Sequence, residues 1–276
     1  MNFHYTRTYA GPVQAVIFDW AGTTVDFGSL APIKAFCQLF EQEGVAITQE
    51  EAREPMGTEK REHIKRLLAI PRIKQAWQAH KGNYPSDADI DRLYEDFVPI
   101  QKAMIATCAK LVPGANACFE YLNNKQIKIG ANTGYSKDMV NELIETAAQQ
   151  GYRPESNVCA TEVPKGRPYP HMTFKNMLDL EVEAVQAVVK VDDTLTGIEE
   201  GLNAGCWTVG VAVSGNEVGL SWEQWSSLSV QAQTELKRKA YTRFRQCGAH
   251  FVIDSIAQLP EVIDAIESKM AEGIQP

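Results

Sequence analysis

Residues 16–27 read Val-Ile-Phe-Asp-Trp-Ala-Gly-Thr-Thr-Val-Asp-Phe. The segment opens with an apolar run, and Asp19 follows directly, just before the turn-forming pair Gly22-Thr23. A short run that is apolar without alternation suits a strand covered on both faces, as in a parallel sheet. The sequence therefore predicts a buried strand that delivers the Asp19 carboxylate into a tight turn.

Four more apolar runs, rich in valine and isoleucine, follow this first run at 15–18. They lie at 127–131, 185–191, 208–213 and 250–253. Because helical stretches separate the runs, we predict an α/β fold with a doubly wound, Rossmann-like parallel sheet. Ligands of such sheets bind at the carboxyl ends of the strands. Asp19, Thr133 and Asp193 follow these runs and are therefore expected at the functional site.

The segment between the first two runs carries helical patterns and no strand pattern. Residues 31–44 and 87–105 place apolar residues at intervals of three and four. Pro113-Gly114 marks the return to the sheet. An insert of this size predicts a second domain. We assign residues 28–105 to a helical cap domain, and residues 1–27 and 106–276 to the α/β core domain.

Composition limits the classes of function. Of the 276 residues, 44% are hydrophobic and 22% charged, as in ordinary globular proteins. The formal net charge of -8 argues against a nucleic-acid partner, and the basic cluster at 237–245 is interpreted as a solvated helix face. No membrane span or apolar signal-peptide core is visible, so we expect a cytoplasmic protein without membrane contact. The six cysteines form no C-x-x-C pair, which argues against a zinc site or a disulfide framework.

Two motifs after Asp19 are suited to phosphate. Residues 129–134, Ile-Gly-Ala-Asn-Thr-Gly, end in a hydroxyl residue and a glycine, whose hydroxyl and N–H groups can hold phosphate oxygens. Thr133 and Gly134 are the candidates there. Residues 164–168, Pro-Lys-Gly-Arg-Pro, fix two cations between prolines. Arg167 is the better candidate because its planar guanidinium suits bidentate phosphate contact, and Lys165 is the alternative.

Paired acids, Asp192 and Asp193, end the run at 185–191. Adjacent carboxylates opposite Asp19 suit Mg²⁺, which needs one or two protein carboxylates besides water and substrate oxygens. Side chains alternate along an extended segment, so the two acids are not expected to face the ion equally. Asp193 is the candidate ligand, while Asp192 either binds the metal or holds a ligand in place.

Inside the helical insert, residues 55–63 read Pro-Met-Gly-Thr-Glu-Lys-Arg-Glu-His. With Thr58 as the predicted N-cap, Lys60 lies in the first turn of a helix and on its apolar face, which His63 shares. An amine among apolar side chains near a helix N-terminus is disfavoured as ammonium, so we expect a lowered pKa and a nucleophilic amine. From spacing alone, the stronger alternative is that Lys60 extends into solvent.

Five motifs together closely resemble those of the phosphonoacetaldehyde hydrolase family, also called phosphonatases, in the haloacid dehalogenase superfamily. They are Asp-Trp-Ala-Gly-Thr at 19–23, Pro-Met-Gly-x-x-Lys-x-x-His at 55–63, Thr-Gly-Tyr at 133–135, Gly-Arg-Pro-Tyr-Pro at 166–170 and Asp-Asp-Thr at 192–194. The resemblance extends from Gln14 to Leu220 and continues more weakly to the C-terminus. It implies a haloacid dehalogenase core with an inserted helical cap.

The resemblance also implies roles for individual residues. Asp19 would be the nucleophile and Lys60 a Schiff-base lysine. The Mg²⁺ ligands would be Asp19, the Ala21 carbonyl and Asp193. The residues implied to line the aldehyde site are Met56, His63 and Tyr135. The family further implies a homodimer, with the helix near 31–43 as a candidate interface, and a place in the degradation of 2-aminoethylphosphonate.

Ala21 gains a chemical meaning from this resemblance. Phosphatases and phosphomutases of the superfamily have a second aspartate there, which protonates an alkoxide leaving group. The family implies instead that phosphonoacetaldehyde is hydrolysed to acetaldehyde and phosphate, with an iminium on Lys60 as electron sink and an aspartyl phosphate on Asp19. The alternatives left open are a Mg²⁺-dependent phosphomonoesterase or phosphomutase with the same core, and a non-enzymatic phosphate-binding protein.

Two positions depart from part of the family. Some members have Gly-Asp where this chain has Asp192-Asp193, and they carry a further aspartate at the position of Gly197. The support of the metal site is therefore open. Ser29 stands where some members have cysteine, which argues against an essential thiol there.

Overall fold

A six-stranded parallel sheet organises the chain, whose residues 9–276, apart from the side chain of Ala106, are described by a computed structural model. The strands are β1 (Ala15–Phe18), β2 (Lys128–Thr133), β3 (Ser156–Cys159), β4 (Val188–Asp192), β5 (Trp207–Val211) and β6 (Phe251–Ile253). Their order in the sheet is β3-β2-β1-β4-β5-β6. Because the chain starts in the middle and winds outward in both directions, the predicted doubly wound α/β sheet is confirmed.

The strand predictions differ from the structure in two places. β3 was not predicted, because its sequence Ser-Asn-Val-Cys is half polar and lacks the apolar pattern of the other runs. As an edge strand it pairs with β2 alone, so it does not need apolar residues on both faces. The run at 185–191 begins with a 3₁₀ turn, Val185–Ala187, before β4 starts.

Five helices lie between β1 and Pro113-Gly114, where the sequence predicts a helical insert. They are α1 (Leu30–Gln42), α2 (Gln49–Arg53), α3 (Lys60–Ala69), α4 (Pro71–Lys81) and α5 (Asp87–Cys108). The helices of the insert pack against one another, since the rings of Phe36 in α1 and Phe97 in α5 are buried and stack at 4.4 Å between centroids. Most of the apolar side chains of α1 are likewise buried within the chain, which leaves polar residues such as Lys34 and Glu41 exposed on this helix.

Seven further helices follow the insert. They are α6 (Ala115–Asn124), α7 (Lys137–Gln149), α8 (His171–Asp179), α9 (Leu195–Ala204), α10 (Trp222–Ser227), α11 (Val230–Cys247) and α12 (Leu259–Ala271). The basic cluster at 237–245 lies on α11, where Lys237 pairs with Asp254 at 2.6 Å and Arg238 with Glu235 at 2.8 Å. Its interpretation as a solvated helix face is confirmed. Within residues 9–276, none of the helices has the length and apolar character of a membrane span.

The N-cap of α3 sets the position of Lys60. The prediction that Thr58 is this cap is wrong: the Glu59 carboxylate accepts hydrogen bonds from the N–H groups of Arg61 at 2.8 Å and Glu62 at 3.0 Å. The Thr58 hydroxyl donates instead to a carbonyl of its own turn. A carboxylate at this end also complements the helix dipole. Lys60 is therefore the first residue of α3.

Candidate active site

Three neighbouring strands bring the candidate residues to one edge of the sheet. Phe18 pairs with Ala131 of β2 and with Val191 of β4, so the residues that follow them meet at the carboxyl ends. The helical insert closes over this edge and leaves a cavity of about 20 Å³, enough for one water molecule. The cavity is lined by Asp19, Ala21, Ser29, Pro32, Met56, Gly57, Lys60, Thr133, Gly134, Tyr135, Arg167, Asp193 and Thr194. We therefore expect the insert to move away from the sheet when a substrate enters.

The turn after β1 holds Asp19 against Asp193. The N–H groups of Thr23, Thr24 and Val25 converge on the carbonyl of residue 20, at 3.2, 2.9 and 3.1 Å. Gly22 has a φ of +90°, and a Cβ there would lie 2.1 Å from Asp193 Oδ2. Only glycine therefore fits at this point of the turn. This close packing places the nucleophile candidate beside the second acid.

Three buried carboxylates, of Asp19, Asp192 and Asp193, lie within 4.8 Å of one another. Burial raises the pKa of Asp19 to about 6, although Arg167 opposes this shift. Burial and the charge of Asp19 raise the pKa of Asp193 well above its ordinary value. Hard oxygen donors crowded in this way favour a divalent cation, which would offset their mutual repulsion.

Asp192 differs from the other two acids in its partners. Its Oδ1 accepts from the N–H and hydroxyl of Thr194 at 3.0 and 2.7 Å, and its Oδ2 lies 2.7 Å from Lys190 Nζ and 3.2 Å from Arg167. Burial acts upward on its pKa, but Arg167 and Lys190 hold the pKa below its ordinary value. Both oxygens are thus occupied by donors of the chain. Asp19 and Asp193 line the cavity and Asp192 does not, so the geometry favours Asp192 as an anchor for Arg167 and the other two acids as candidate ligands of a cation.

The lack of a side chain at Gly197 has a steric cause, which is the position of the Asp192 carboxylate. A Cβ at residue 197 would lie 2.0 Å from Cγ of Asp192, so a side chain there would displace the carboxylate. Carboxylates at positions 192 and 197 therefore exclude each other. In this chain the Asp192 carboxylate occupies the space that a side chain at residue 197 would need.

Arg167 reaches Asp19 from the other side. Its guanidinium donates to Asp19 Oδ1 at 2.7 Å, to Asn132 Oδ1 at 2.7 Å and to Glu200 Oε2 at 3.0 Å. The alternative candidate, Lys165, is exposed and lies 4.4 Å from the ring centre of Tyr169. The structure therefore brings Arg167, and not Lys165, into the cavity.

Lys60 lies in an apolar part of the cavity wall. Its side chain is buried, and Nζ lies 4.0 Å from the sulfur of Met56, 5.0 Å from the ring centre of Tyr135 and 5.6 Å from that of Phe36. Burial lowers the pKa of Lys60 to about 8, and the charge of Asp19 opposes this shift. The alternative that Lys60 extends into solvent is wrong. At neutral pH a useful fraction of the amine is therefore unprotonated.

Of the remaining candidates, two line the cavity and one, His63, does not. Thr133 and Gly134 line the cavity, and the Thr133 hydroxyl accepts the N–H of Tyr135 at 3.1 Å. His63 is not among the lining residues: its Nε2 bonds the carbonyl of Ala52 at 3.0 Å, and its ring stacks on Phe36 at 3.9 Å between centroids. Burial and nearby Lys60 hold its pKa well below the ordinary value, so His63 stays neutral. It supports the wall through Phe36.

Sequence reasoning missed the polar network under Arg167. Asn132, Lys190 and Glu200 are buried, and Glu200 accepts from Asn132 Nδ2 at 2.9 Å, while Lys190 donates to Asn132 Oδ1 at 2.8 Å. One sign was present in the sequence: Lys190 interrupts an otherwise apolar run, and a charge in a buried strand requires partners. The network fixes the guanidinium that faces Asp19.

Comparisons with known proteins identify the family of the chain. A model of the haloacid dehalogenase-like hydrolases matches residues 16–211. A phosphonoacetaldehyde hydrolase of Hahella chejuensis is 58% identical over 276 residues, covering 100% of this chain and 94% of the relative. Another, of Paraburkholderia phytofirmans, is 46% identical over 264 residues, covering 96% and 99%.

Solved structures of other proteins share the fold of this chain. The crystal structure of a phosphonoacetaldehyde hydrolase-like protein from Oleispira antarctica superposes with a TM-score of 0.97, at 51% identity and full coverage of both chains. A β-phosphoglucomutase of Clostridium difficile, at 18% identity, a TM-score of 0.67 and coverage of 93% and 98%, shares the fold alone. The chain therefore belongs to the phosphonoacetaldehyde hydrolase family and is a hydrolase of the haloacid dehalogenase superfamily.

Proposed function

We propose that the protein hydrolyses the carbon–phosphorus bond of phosphonoacetaldehyde and releases acetaldehyde and phosphate. One observation carries the proposal: the buried amine of Lys60 shares a small cavity with the Asp19 carboxylate, while Ala21, two residues after Asp19, offers no acid. Such a site lacks the proton donor for an alkoxide and has in its place an amine for an aldehyde. The names of the relatives from Hahella and Paraburkholderia support the same substrate.

The first step uses the Lys60 amine. It adds to the aldehyde carbon and water leaves, which gives an imine that is reactive when protonated. Burial of the amine in the cavity wall disfavours the ammonium, and this is the main cause of the lowered pKa of Lys60. The iminium nitrogen then lies two bonds from the carbon attached to phosphorus.

The second step breaks the carbon–phosphorus bond. An Asp19 oxygen attacks phosphorus, and the electrons of the carbon–phosphorus bond move through carbon to the iminium nitrogen. The iminium thereby becomes an enamine. The enamine takes a proton on carbon, and water then hydrolyses the imine to acetaldehyde and free Lys60. A second water hydrolyses the aspartyl phosphate. Arg167, held 2.7 Å from Asp19, and the groups at Thr133 and Gly134 offset the charge of the phosphoryl oxygens.

The carboxylates fit a hard divalent cation, and we propose Mg²⁺. Asp19 and Asp193 have the raised pKa values expected of crowded buried acids, which a bound cation would relieve. Together with the carbonyl of Ala21, which also lines the cavity, they would hold it. When bound, Mg²⁺ supplies charge neutralisation for the phosphoryl group.

Turnover of different substrates tests the proposed function. With Mg²⁺, we expect phosphonoacetaldehyde to yield acetaldehyde and phosphate in equal amounts, and simple phosphate monoesters to react at least roughly 100-fold more slowly, because no general acid protonates their leaving group. The measurement is a coupled assay for each product. Faster turnover of the esters would support a phosphomonoesterase instead, and melting temperatures unchanged by beryllofluoride would support a binding protein.

The pH dependence of kcat/KM follows from the amine. Below a pKa of about 8, we expect kcat/KM for phosphonoacetaldehyde to fall by about tenfold per pH unit, because the ammonium form of Lys60 does not attack the aldehyde. Above this pKa the rate should level off. The profile is measured from pH 6 to 9 at constant ionic strength. A rate that is flat or falls with pH over this range would contradict the role of Lys60.

Four expectations from the sequence stay predictions: the domain division at 28–105, the homodimer, the cytoplasmic location and the role in 2-aminoethylphosphonate degradation.

For the homodimer, the described side chains give one guide to the contact surface. Most of the apolar residues of α1 are buried within the chain, so an interface there would be formed by polar groups. Sedimentation velocity would give the oligomeric state directly.

A further inference from the structure

Arg53, the last residue of α2, connects the helical insert to the loop that follows β5. Its guanidinium donates to the carbonyls of Gly28 at 3.0 Å and Gly219 at 2.9 Å, and to Asn216 Oδ1 at 3.2 Å. Three acceptors on two separate segments therefore share one planar cation. A fork of this kind fixes both position and orientation.

Asn216 connects this contact to the cavity. Its backbone N–H donates to Asp193 Oδ2 at 2.8 Å, while its side-chain oxygen accepts from Arg53. The side chain of Asn216 is buried, and its Nδ2 faces the carbonyl of Arg53 at 3.5 Å. One residue thus touches both the insert and a cavity carboxylate.

The chain from Arg53 leads directly to Lys60. Within this segment, the carbonyl of Met56 accepts the hydroxyl of Thr196 at 3.0 Å, and the carbonyl of Gly57 accepts from Arg167 at 3.4 Å. A Cβ on Gly57 would lie 2.4 Å from the hydroxyl oxygen of Thr194, so the segment is seated tightly on the sheet domain. Lys60 begins α3 where this segment ends. Its position over Asp19 depends on this seating.

We propose that Arg53 is a positioning residue that couples the seating of the segment 53–60, and with it the amine of Lys60, to the placement of Asp193. The inference rests on the proposed function for the identity of the reaction. Arg53 does not line the cavity, so it acts through Asn216 and through the chain that leads to Lys60. When the insert opens, these bonds break, and when it closes they restore both halves of the site together.

The kinetic test compares substitutions of Arg53 with a matched control. We expect Arg53→Ala to lower kcat for phosphonoacetaldehyde by roughly 10- to 100-fold with KM changed by less than about threefold, because the seated state is required for reaction more than for first binding. Arg53→Lys, which keeps the charge without the fork, should recover only part of kcat. Arg66→Ala, which removes an exposed arginine paired with Glu62, should leave both constants unchanged.

A double-mutant cycle separates coupling from general damage. Asn216→Ala should lower kcat, and the pair Arg53→Ala with Asn216→Ala should be little worse than the poorer single variant, because both break one connection. Effects that multiply, or a kcat of Arg53→Ala within twofold of the unmodified enzyme, would overturn the inference. If Arg53→Ala does not fold, the same cycle is measured with Arg53→Lys in its place, alone and combined with Asn216→Ala.

A binding readout judges the inference without phosphonoacetaldehyde. Beryllofluoride with Mg²⁺ imitates a phosphoryl group on Asp19, and binding raises the melting temperature by mass action. We expect a clearly smaller rise in Arg53→Ala than in Arg66→Ala. An equal rise in both would overturn the proposed link to Asp193. If the unmodified enzyme binds beryllofluoride but does not turn over phosphonoacetaldehyde, the proposed function fails, and this comparison still decides the role of Arg53.

Discussion

Lys60→Arg is expected to lower kcat for phosphonoacetaldehyde by roughly 10⁴-fold or more, because it removes the covalent catalyst. Arginine keeps the positive charge and much of the length of the side chain, but its guanidinium is not deprotonated in proteins. Imine formation is then impossible, and the breaking carbon–phosphorus bond has no electron sink. The effect is measured as product formation by the purified variant, with acetaldehyde detected through its reduction in a coupled assay.

Two further variants separate chemistry from folding. Lys65→Arg changes an exposed lysine of the same helix and should retain full activity. Lys60→Met should be inactive but at least as stable as the unmodified enzyme at pH 7. Since burial lowers the pKa of Lys60 to about 8, the buried ammonium destabilises the folded state below this pKa, and the penalty fades as pH rises toward the unfolded value. Activity above one tenth in Lys60→Arg would contradict the Schiff-base role.

Asp19→Asn is the second change with a very large expected effect. An amide does not attack phosphorus, so kcat should fall by roughly 10⁴-fold or more. Arg167 also contacts Asn132, Asp192 and Glu200, so its guanidinium stays in place when the charge of Asp19 is lost. Rapid-quench measurement should show no early release of acetaldehyde. Because Lys60 is untouched, the imine with the intact phosphonate should still form.

The control for Asp19 is an aspartate beside the same edge of the sheet. Asp138→Asn alters an exposed residue in the first turn of α7 and should leave kcat within twofold. Thermal unfolding of both variants checks the fold. If Asp19→Asn kept more than a tenth of the activity, phosphoryl transfer to this carboxylate would be excluded.

The sheet and most of the cavity are predictable from sequence for one physical reason. Strands that are apolar throughout belong to parallel sheets, and parallel sheets gather the residues after each strand at one edge. Asp19, Thr133 and Asp193 follow such runs, so their meeting did not require knowledge of distant contacts. The five apolar runs and the helical stretches between them therefore carry most of the information on the fold of the core.

Other features depend on contacts between distant segments. The spacing around Lys60 favours a solvent-exposed side chain, whereas in the structure the rings of Phe36, from another helix, and of Tyr135, from the core, help to bury it. Likewise, Asp192 and Asp193 differ in their contacts, since Asp192 lies beside Lys190 and Arg167 while Asp193 accepts the N–H of Asn216. Lys190 is a neighbour of Asp192 in the sequence, where its charge interrupts an apolar run, but Arg167 and Asn216 are distant in the chain and no local pattern indicates them. The resemblance to the family, not the spacing, gave Lys60 its role.

In the proposed mechanism, Lys60 accepts the electrons of the carbon–phosphorus bond that Asp19 breaks. Borohydride added during turnover reduces the imine, and peptide mass spectrometry identifies the product and its position. We expect N-ethyl-lysine at residue 60 in the unmodified enzyme, and N-(2-phosphonoethyl)-lysine at the same residue in Asp19→Asn, where the bond stays intact. No adduct at Lys60, or N-ethyl-lysine in Asp19→Asn, would contradict this mechanism.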